Sequence, residues 1–231
     1  MVQLYPANAD ATYQAARRDL LAAEIALRDQ IETVAAQRRA LPPGPALQPY
    51  VFREGPADLS RNGAGDMRDV ALADLFAPGQ PSLLVIHFMF AAADAKPCPM
   101  CSMWADGYDA IARHVAQRVP MVLVARAPIE KLRTFARERG WRHLRLLSSA
   151  GNSFNPDFDM ETPAGAQLPG VSILTRDDAG AVRHRYTQCA LLAPGEGRGI
   201  DLLTPVWSLF DLLPEGCGDW LPKHSYMPLN A

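Results

Sequence analysis

Ser82-Leu-Leu-Val-Ile-His-Phe-Met-Phe90, a loop of small residues, and then Pro97-Cys-Pro-Met-Cys-Ser-Met-Trp104 decide the fold of this 231-residue chain. The first run is too short to cross a bilayer and is rich in branched and aromatic residues, so it predicts a buried strand of a mostly parallel sheet. Beyond the loop the period changes. Cys101, Trp104, Tyr108, Ile111 and Val115 recur at steps of three and four, which marks one face of a helix. Pro99 suits its first position, where the amide that proline lacks has no intrahelical partner.

Cys98 then stands at a helix amino end, where free amides and the positive end of the peptide dipoles favour thiolate over thiol. Cys101 lies three residues on and shares the inward stripe. The expected arrangement is an exposed attacking thiol at Cys98 and a sheltered resolving thiol at Cys101, with the sulfurs within reach of each other. Two other readings of the residues stay open: a pair of structural cysteines, or half of a zinc site completed by Cys189, Cys217 or His184, none of which shows paired ligand spacing.

Composition narrows the partners. With 48% hydrophobic and 21% charged residues the chain has the make-up of a globular protein that buries a sizeable core. A formal charge of −2 and no polybasic run give no field for nucleic acid or an anionic membrane surface. The amino terminus shows neither a basic-then-apolar leader nor a cleavage site, and four cysteines in a chain of this length make no disulfide framework. A cytoplasmic setting is expected from these features.

Working outward, Ala9 to Ala40 is alanine- and arginine-rich, with Leu20, Leu21, Ile25, Leu27, Ile31 and Val34 at helical spacing. It predicts a long amphipathic helix, or a helix pair, closed by Leu41-Pro-Pro-Gly-Pro45. Such a helix covers either its own domain or a second copy, so a homodimer through it is one expectation. Tyr50–Glu54 reads as a short strand, Pro56–Gly65 as a loop and Val70–Phe76 as a helical turn. Val119–Ala125 predicts a second buried strand, Ile129–Arg139 a helix stopped by Gly140, and Arg145–Ser148 a third strand. Ser149–Asp157 reads as loop. Asp177-Asp-Ala-Gly180 between two β-rich runs is a hairpin signal, and Asp201–Leu213 predicts a closing helix interrupted by Pro205. The order argues an α/β sheet with an antiparallel edge.

That succession resembles the thioredoxin fold, and Val122–Trp141 followed by Leu146-Leu-Ser-Ser149 is similar to its peroxiredoxin (AhpC/TSA) branch. Over nearly its whole length the chain resembles a family of bacterial thioredoxin-like proteins of unknown function. The matching stretches are Arg38-Arg-Ala-Leu-Pro-Pro43, His87-Phe-Met-Phe90, Cys98-Pro-Met-Cys-Ser-Met-Trp-Ala-Asp106, Arg126-Ala-Pro128, Gly151-Asn-Ser-Phe-Asn155, Pro169-Gly-Val-Ser172 and Gly197-Arg-Gly199. The resemblance implies an N-terminal helical extension with a Pro-rich linker over residues 1–49 and a thioredoxin-like domain over 50–231. It also marks departures. Peroxiredoxins carry Thr or Ser three residues before the attacking Cys, and Ala95 stands there, so peroxidase activity is not expected. Thioredoxins place Trp before the first Cys and Gly-Pro between the two; here Pro97 and Pro99-Met100 stand instead. The place of their cis proline is taken by Gly170 or Val171, with Pro169 nearby. Copper-delivering relatives use a wider cysteine spacing.

The expected chemistry is thiol–disulfide exchange with a protein or small-molecule disulfide or thiol, catalysed by Cys98 and Cys101 without a bound cofactor or metal. The alternative is a non-catalytic binding or redox-sensing module on the same scaffold. Supporting candidates are Arg126 at the carboxyl edge of the sheet, Trp104 beneath the pair, His87 on the central strand and Pro169. A lone His in an apolar run is more often a hydrogen-bonded core residue, and Asp106 reads as a solvated helix position.

Overall fold

The computed structural model describes residues 5–191 and 203–226, which fall into two units, 1–42 and 43–231. The first unit is a single helix, α1 (Ala11–Ala40). Asp10 caps it by accepting from the Tyr13 amide at 2.8 Å, and Leu41 with the prolines behind it ends it.

The second unit is built on one seven-stranded mixed sheet. Its strands are β1 (Val51–Glu54), β2 (Arg68–Ala71), β3 (Ser82–His87), β4 (Met121–Ala125), β5 (Arg145–Ser148), β6 (Gly170–Arg176) and β7 (Val182–Cys189), in the order β2-β1-β5-β4-β3-β6-β7. β3, β4 and β5 run parallel, joined by the crossover helices α2 (Pro99–Val115) and α3 (Ile129–Arg139). β6 and β7 form the expected antiparallel hairpin on β3, and a short α4 (Phe154–Asp157) and α5 (Val206–Phe210) complete the unit. The β4-β3-β6-β7 core with a helix after β3 and another after β7 is thioredoxin-like.

Every residue of β4 is buried, and the two faces of the central strands feed separate cores. Ile86, Leu123 and Ala125 point into one cluster with Cys101, Ala105, Leu132 and Phe135 from α2 and α3. Val85, Val122 and Val124 point into the other, with Phe52, Leu72, Phe154 and Phe158. This double burial is why these strands read as unbroken apolar runs. Gly140 stops α3 at φ +78°, the left-handed conformation that glycine adopts without penalty.

Four local expectations are corrected. Val70 and Ala71 belong to β2, and only Leu72–Leu75 makes a helical turn. Ser149–Asp157 is not all loop, since Phe154–Asp157 winds into α4. Ile111 is exposed, because the buried face of α2 centres on Cys101, Ala105 and Ala112, roughly a quarter-turn away. Pro205 is the N-cap of α5 and starts it instead of interrupting it. Residues 201–202 and the Gly197-Arg-Gly199 stretch lie outside the described residues. Pro45 and Leu47, expected in the linker, bond to β7, where the Leu47 amide donates to Val182 O at 2.8 Å.

Candidate active site

The chain leaves β3 at His87, passes through Phe88, Met89 and Phe90 into the small-residue loop, and returns to the sheet end as α2 begins. The Cys98 amide donates to Met89 O at 3.1 Å, tying the start of α2 to the end of β3. Lys131 of α3 holds the intervening loop, donating to the carbonyls of Ala92 at 2.8 Å and of Asp94 and lying 4.8 Å from the Phe90 ring centre. Cys98 is the N-cap of α2 with Pro99 at the first helical position, as expected. Its carbonyl accepts from the Ser102 amide and hydroxyl at 3.0 and 2.8 Å, which anchors the first turn.

The two cysteines are free thiols in unlike surroundings. Cys101 is 1% exposed, within the core cluster of Ile86, Phe88 and Phe90. Cys98 is half-buried instead of open, and it lines a shallow groove of about 320 Å³ with Met89, Asp94, Lys96, Pro97 and Gln167. No single capping bond forms at the Cys98 sulfur. The Cys101 thiol donates toward it and, with the amides of Cys101 and Met100, lowers its pKa from 9.0 to about 6, against burial, which acts the other way. The Cys101 thiol is held well above the ordinary range by its donation to Cys98, by burial and by the Cys98 charge, while the Met89 amide pulls weakly in the opposite direction.

The supporting candidates scatter. Trp104 is buried, but in a cluster with Val171, Ala190 and Trp207, and its indole N–H donates to Leu203 O at 3.3 Å. His87 lies on the opposite face of the sheet, stacked on Phe154 at 5.5 Å, with Nε2 hydrogen-bonded to Ser172 Oγ at 2.7 Å and Nδ1 without a partner among the described residues. Arg126 donates to Ser149 O and Asn152 O, both at 2.9 Å, and is ion-paired with Glu161. It braces the two loops beside the sheet end. Pro169 immediately precedes β6, and its carbonyl accepts from the Ala190 amide at 2.8 Å; every described peptide bond is trans. Asp106 keeps a partly solvated side chain and also accepts from Arg139 and from the Trp141 indole at 2.7 Å, joining α2 to the end of α3. Cys189 and Cys217 pack against other clusters, and among the described residues no three His, Cys, Asp or Glu side chains converge on a metal position.

Several contributors carry no local signal in the sequence. Met89 acts through its backbone on both cysteines. Asp109, on the buried face of α2, accepts from the amides of Arg142, His143 and Leu144 at 2.7–3.1 Å and fixes the approach to β5. Residues 165–167, remote in sequence, close one side of the Cys98 groove.

A family model described as "bacterial protein of unknown function" matches residues 2–229. No curated protein matches the chain. Among solved structures, it is similar to a putative thioredoxin reductase from Burkholderia cenocepacia at 16% identity and a TM-score of 0.49, covering 71% of this chain and 96% of that one. It is similar to the reduced 2-Cys peroxiredoxin of Plasmodium vivax at 14% identity and 0.48, with 69% and 90% covered. Mycobacterium bovis AhpC matches at 13% identity and 0.47, with 78% and 98% covered.

Proposed function

The chain belongs to this bacterial family, DUF899, whose description carries no activity, and from its own site we propose that it is a thiol–disulfide oxidoreductase. One observation carries the reading: the half-buried Cys98, the N-cap of α2, holds its sulfur beside the Cys101 thiol and the Cys101 and Met100 amides, which together lower its pKa and favour its thiolate near neutral pH. In the reaction the Cys98 thiolate attacks one sulfur of a substrate disulfide, and the other sulfur leaves as a thiolate. Cys101 gives its proton to that leaving group and attacks the Cys98 sulfur, expelling the second substrate thiol. The substrate gains two electrons and the pair closes as a disulfide, which an external dithiol reduces again.

The unlike pKa values set this order. Cys101 stays protonated while Cys98 is charged, because donation to that charge and its proximity raise the Cys101 pKa. Once Cys98 enters the mixed disulfide, both causes vanish, burial alone still opposes ionisation, and the Met89 amide still favours it. Cys101 therefore becomes easier to ionise at the step that needs its thiolate. Peroxide is not the proposed substrate, since Ala95 stands three residues before Cys98, where peroxiredoxins carry Thr or Ser.

Reduction of insulin by dithiothreitol tests the proposal. The wild-type protein is expected to accelerate it, Cys98→Ser to return it to the rate with reductant alone, and Cys101→Ser to accumulate a mixed disulfide visible by mass spectrometry. No acceleration by wild type, or unchanged acceleration by Cys98→Ser, sinks the reading. Self-association through α1 is a separate part of the proposal: Leu20, Leu27 and Ile31 are exposed on it, and a monomer in sedimentation at micromolar concentration removes that part alone.

A further inference from the structure

A second concavity, of about 500 Å³, lies at the opposite end of the parallel strands, where β5 begins and β1 ends. Four arginines line it, Arg68, Arg133, Arg142 and Arg145, with Glu54 between them. Glu54 is 3% exposed, and both of its oxygens are taken: Oε1 by Arg68 at 2.6 Å and by Arg145 at 3.1 Å, Oε2 by Arg145 at 2.8 Å. These bonds use Nε and Nη2 of each guanidinium, and Nη1 of each has no acceptor among the described residues. The Arg142 side chain is exposed and likewise has none. Asp66, the other carboxylate of the lining, is ion-paired with Arg61. Four guanidinium groups against two carboxylates leave the lining with a formal charge of +2, in a chain whose whole formal charge is −2.

Arg133 separates this place from an ordinary solvated face. Its residue exposure is 2%, and its guanidinium donates only to neutral groups: Pro56 O at 2.6 Å, Asp58 O at 2.8 Å, Arg61 O at 2.9 Å and Asn62 Oδ1 at 3.1 Å. The Asp58 carboxylate binds Ser60 instead. The carbonyls satisfy hydrogen bonds but carry no charge; burial lowers the Arg133 pKa, and the Asp58 and Asp66 carboxylates, neither of which bonds to it, offset that only from a distance. Gly55 packs directly against this guanidinium, for a Cβ there would stand 2.7 Å from Arg133 Cζ and Nε. We infer that this cleft binds a phosphoryl group, which offsets the excess positive charge of the lining and accepts from the free guanidinium N–H groups of Arg68, Arg142 and Arg145. Arginine forks match phosphoryl oxygens in geometry, and a concave low-dielectric wall concentrates the field on such a ligand. The apolar part of the lining, Pro56, Leu59 and Leu144, leaves room for an uncharged moiety attached to it.

Isothermal titration at fixed ionic strength with inorganic phosphate, pyrophosphate and ATP tests this. Saturable binding of pyrophosphate, tighter than of phosphate, is expected, with at least a tenfold loss in Arg142→Glu and again in Arg68→Ala. Neither exchange touches the Arg133 clasp, so a folding defect does not confuse the result, and a melting curve for each variant verifies it. ATP binding as tightly as pyrophosphate identifies a nucleotide as the source of the group; pyrophosphate binding without ATP binding identifies a free phosphate compound. Absence of saturation by all three, sulfate binding as well as pyrophosphate, or an affinity unchanged in Arg142→Glu overturns the inference. The cysteine reaction is expected to be unaltered in both variants, since the two sites lie at opposite ends of the sheet.

Discussion

At the carboxyl end of β3 the sheet carries ionisable groups on both faces, and burial has opposite outcomes on them. On one face His87 stacks on Phe154 within the aromatic cluster; its pKa falls from 6.5 to about 3 through burial and the nearby His184. On the other face Cys98 is also partly buried, yet its pKa falls toward the charged form, because a thiol and two amides are aimed at its sulfur. For an imidazole the lowered value means neutrality at pH 7; for a thiol it means charge. Burial alone does not decide ionisation: partners suited to the charged form do, acceptors for an imidazolium and donors for a thiolate, and His87 has an unpartnered Nδ1 where Cys98 has three contributors.

The largest effect expected from this contrast is on acid stability. Between pH 6.5 and about 3 the unfolded chain binds a proton at position 87 that the folded chain refuses, so stability falls as pH drops through that window. Above pH 6.5 the contribution of His87 is flat. At ~1.4 kcal/mol for each tenfold change in proton affinity the loss amounts to a few kcal/mol by the foot of the window. Urea unfolding of wild type and His87→Leu at pH 7 and pH 4 measures it: the wild type is expected to lose more stability than the variant over that interval. Equal losses would show that His87 protonates in the folded state, and the two faces would then differ less than the packing implies.

The same contrast explains what was legible in the sequence. The strand, the cysteine-bearing helix and the hairpin could be read because each repeats its signal over several residues: an apolar run, a stripe at steps of three and four, a turn flanked by β-branched residues. The face of His87 could not. Both sides of β3 are packed, so Val85 and Ile86 look alike in sequence while feeding different cores, and alternation gives no sign of which side the cysteines share. Asp106, Asp109 and Arg133 were illegible for another reason: their partners lie on other elements, up to 77 positions away in the case of Pro56 and Arg133. Cys98 could be assigned because the groups that lower its pKa all lie within its own next three residues.

That local origin gives the second prediction. The Cys101 thiol is the largest contributor to the lowered pKa of Cys98, so Cys101→Ala is expected to move the midpoint of Cys98 alkylation by iodoacetamide upward from about 6 by more than one pH unit, toward 9.0. At pH 6.5 the variant would then react at least several-fold more slowly. The rate profile from pH 4 to pH 10, with the other cysteines blocked or replaced, reads this directly. An unmoved midpoint would transfer the effect to the helix end alone and make the pair less interdependent than the proposed reaction order requires.

The smallest effect separates the remaining contributors. Pro99 supplies no amide, so the sulfur meets only those of Met100 and Cys101 among the first three helical residues. Pro99→Ala restores a donor at the first position, and the alkylation midpoint is expected to fall by a few tenths of a pH unit. The fold should pay little, about 0.5 kcal/mol, for the added freedom of the unfolded chain. A fall of that size assigns the activation to the collective field of the helix start. A rise would mean that proline holds the sulfur over the Met100 and Cys101 amides by fixing the backbone, so that geometry outweighs the number of donors at this end.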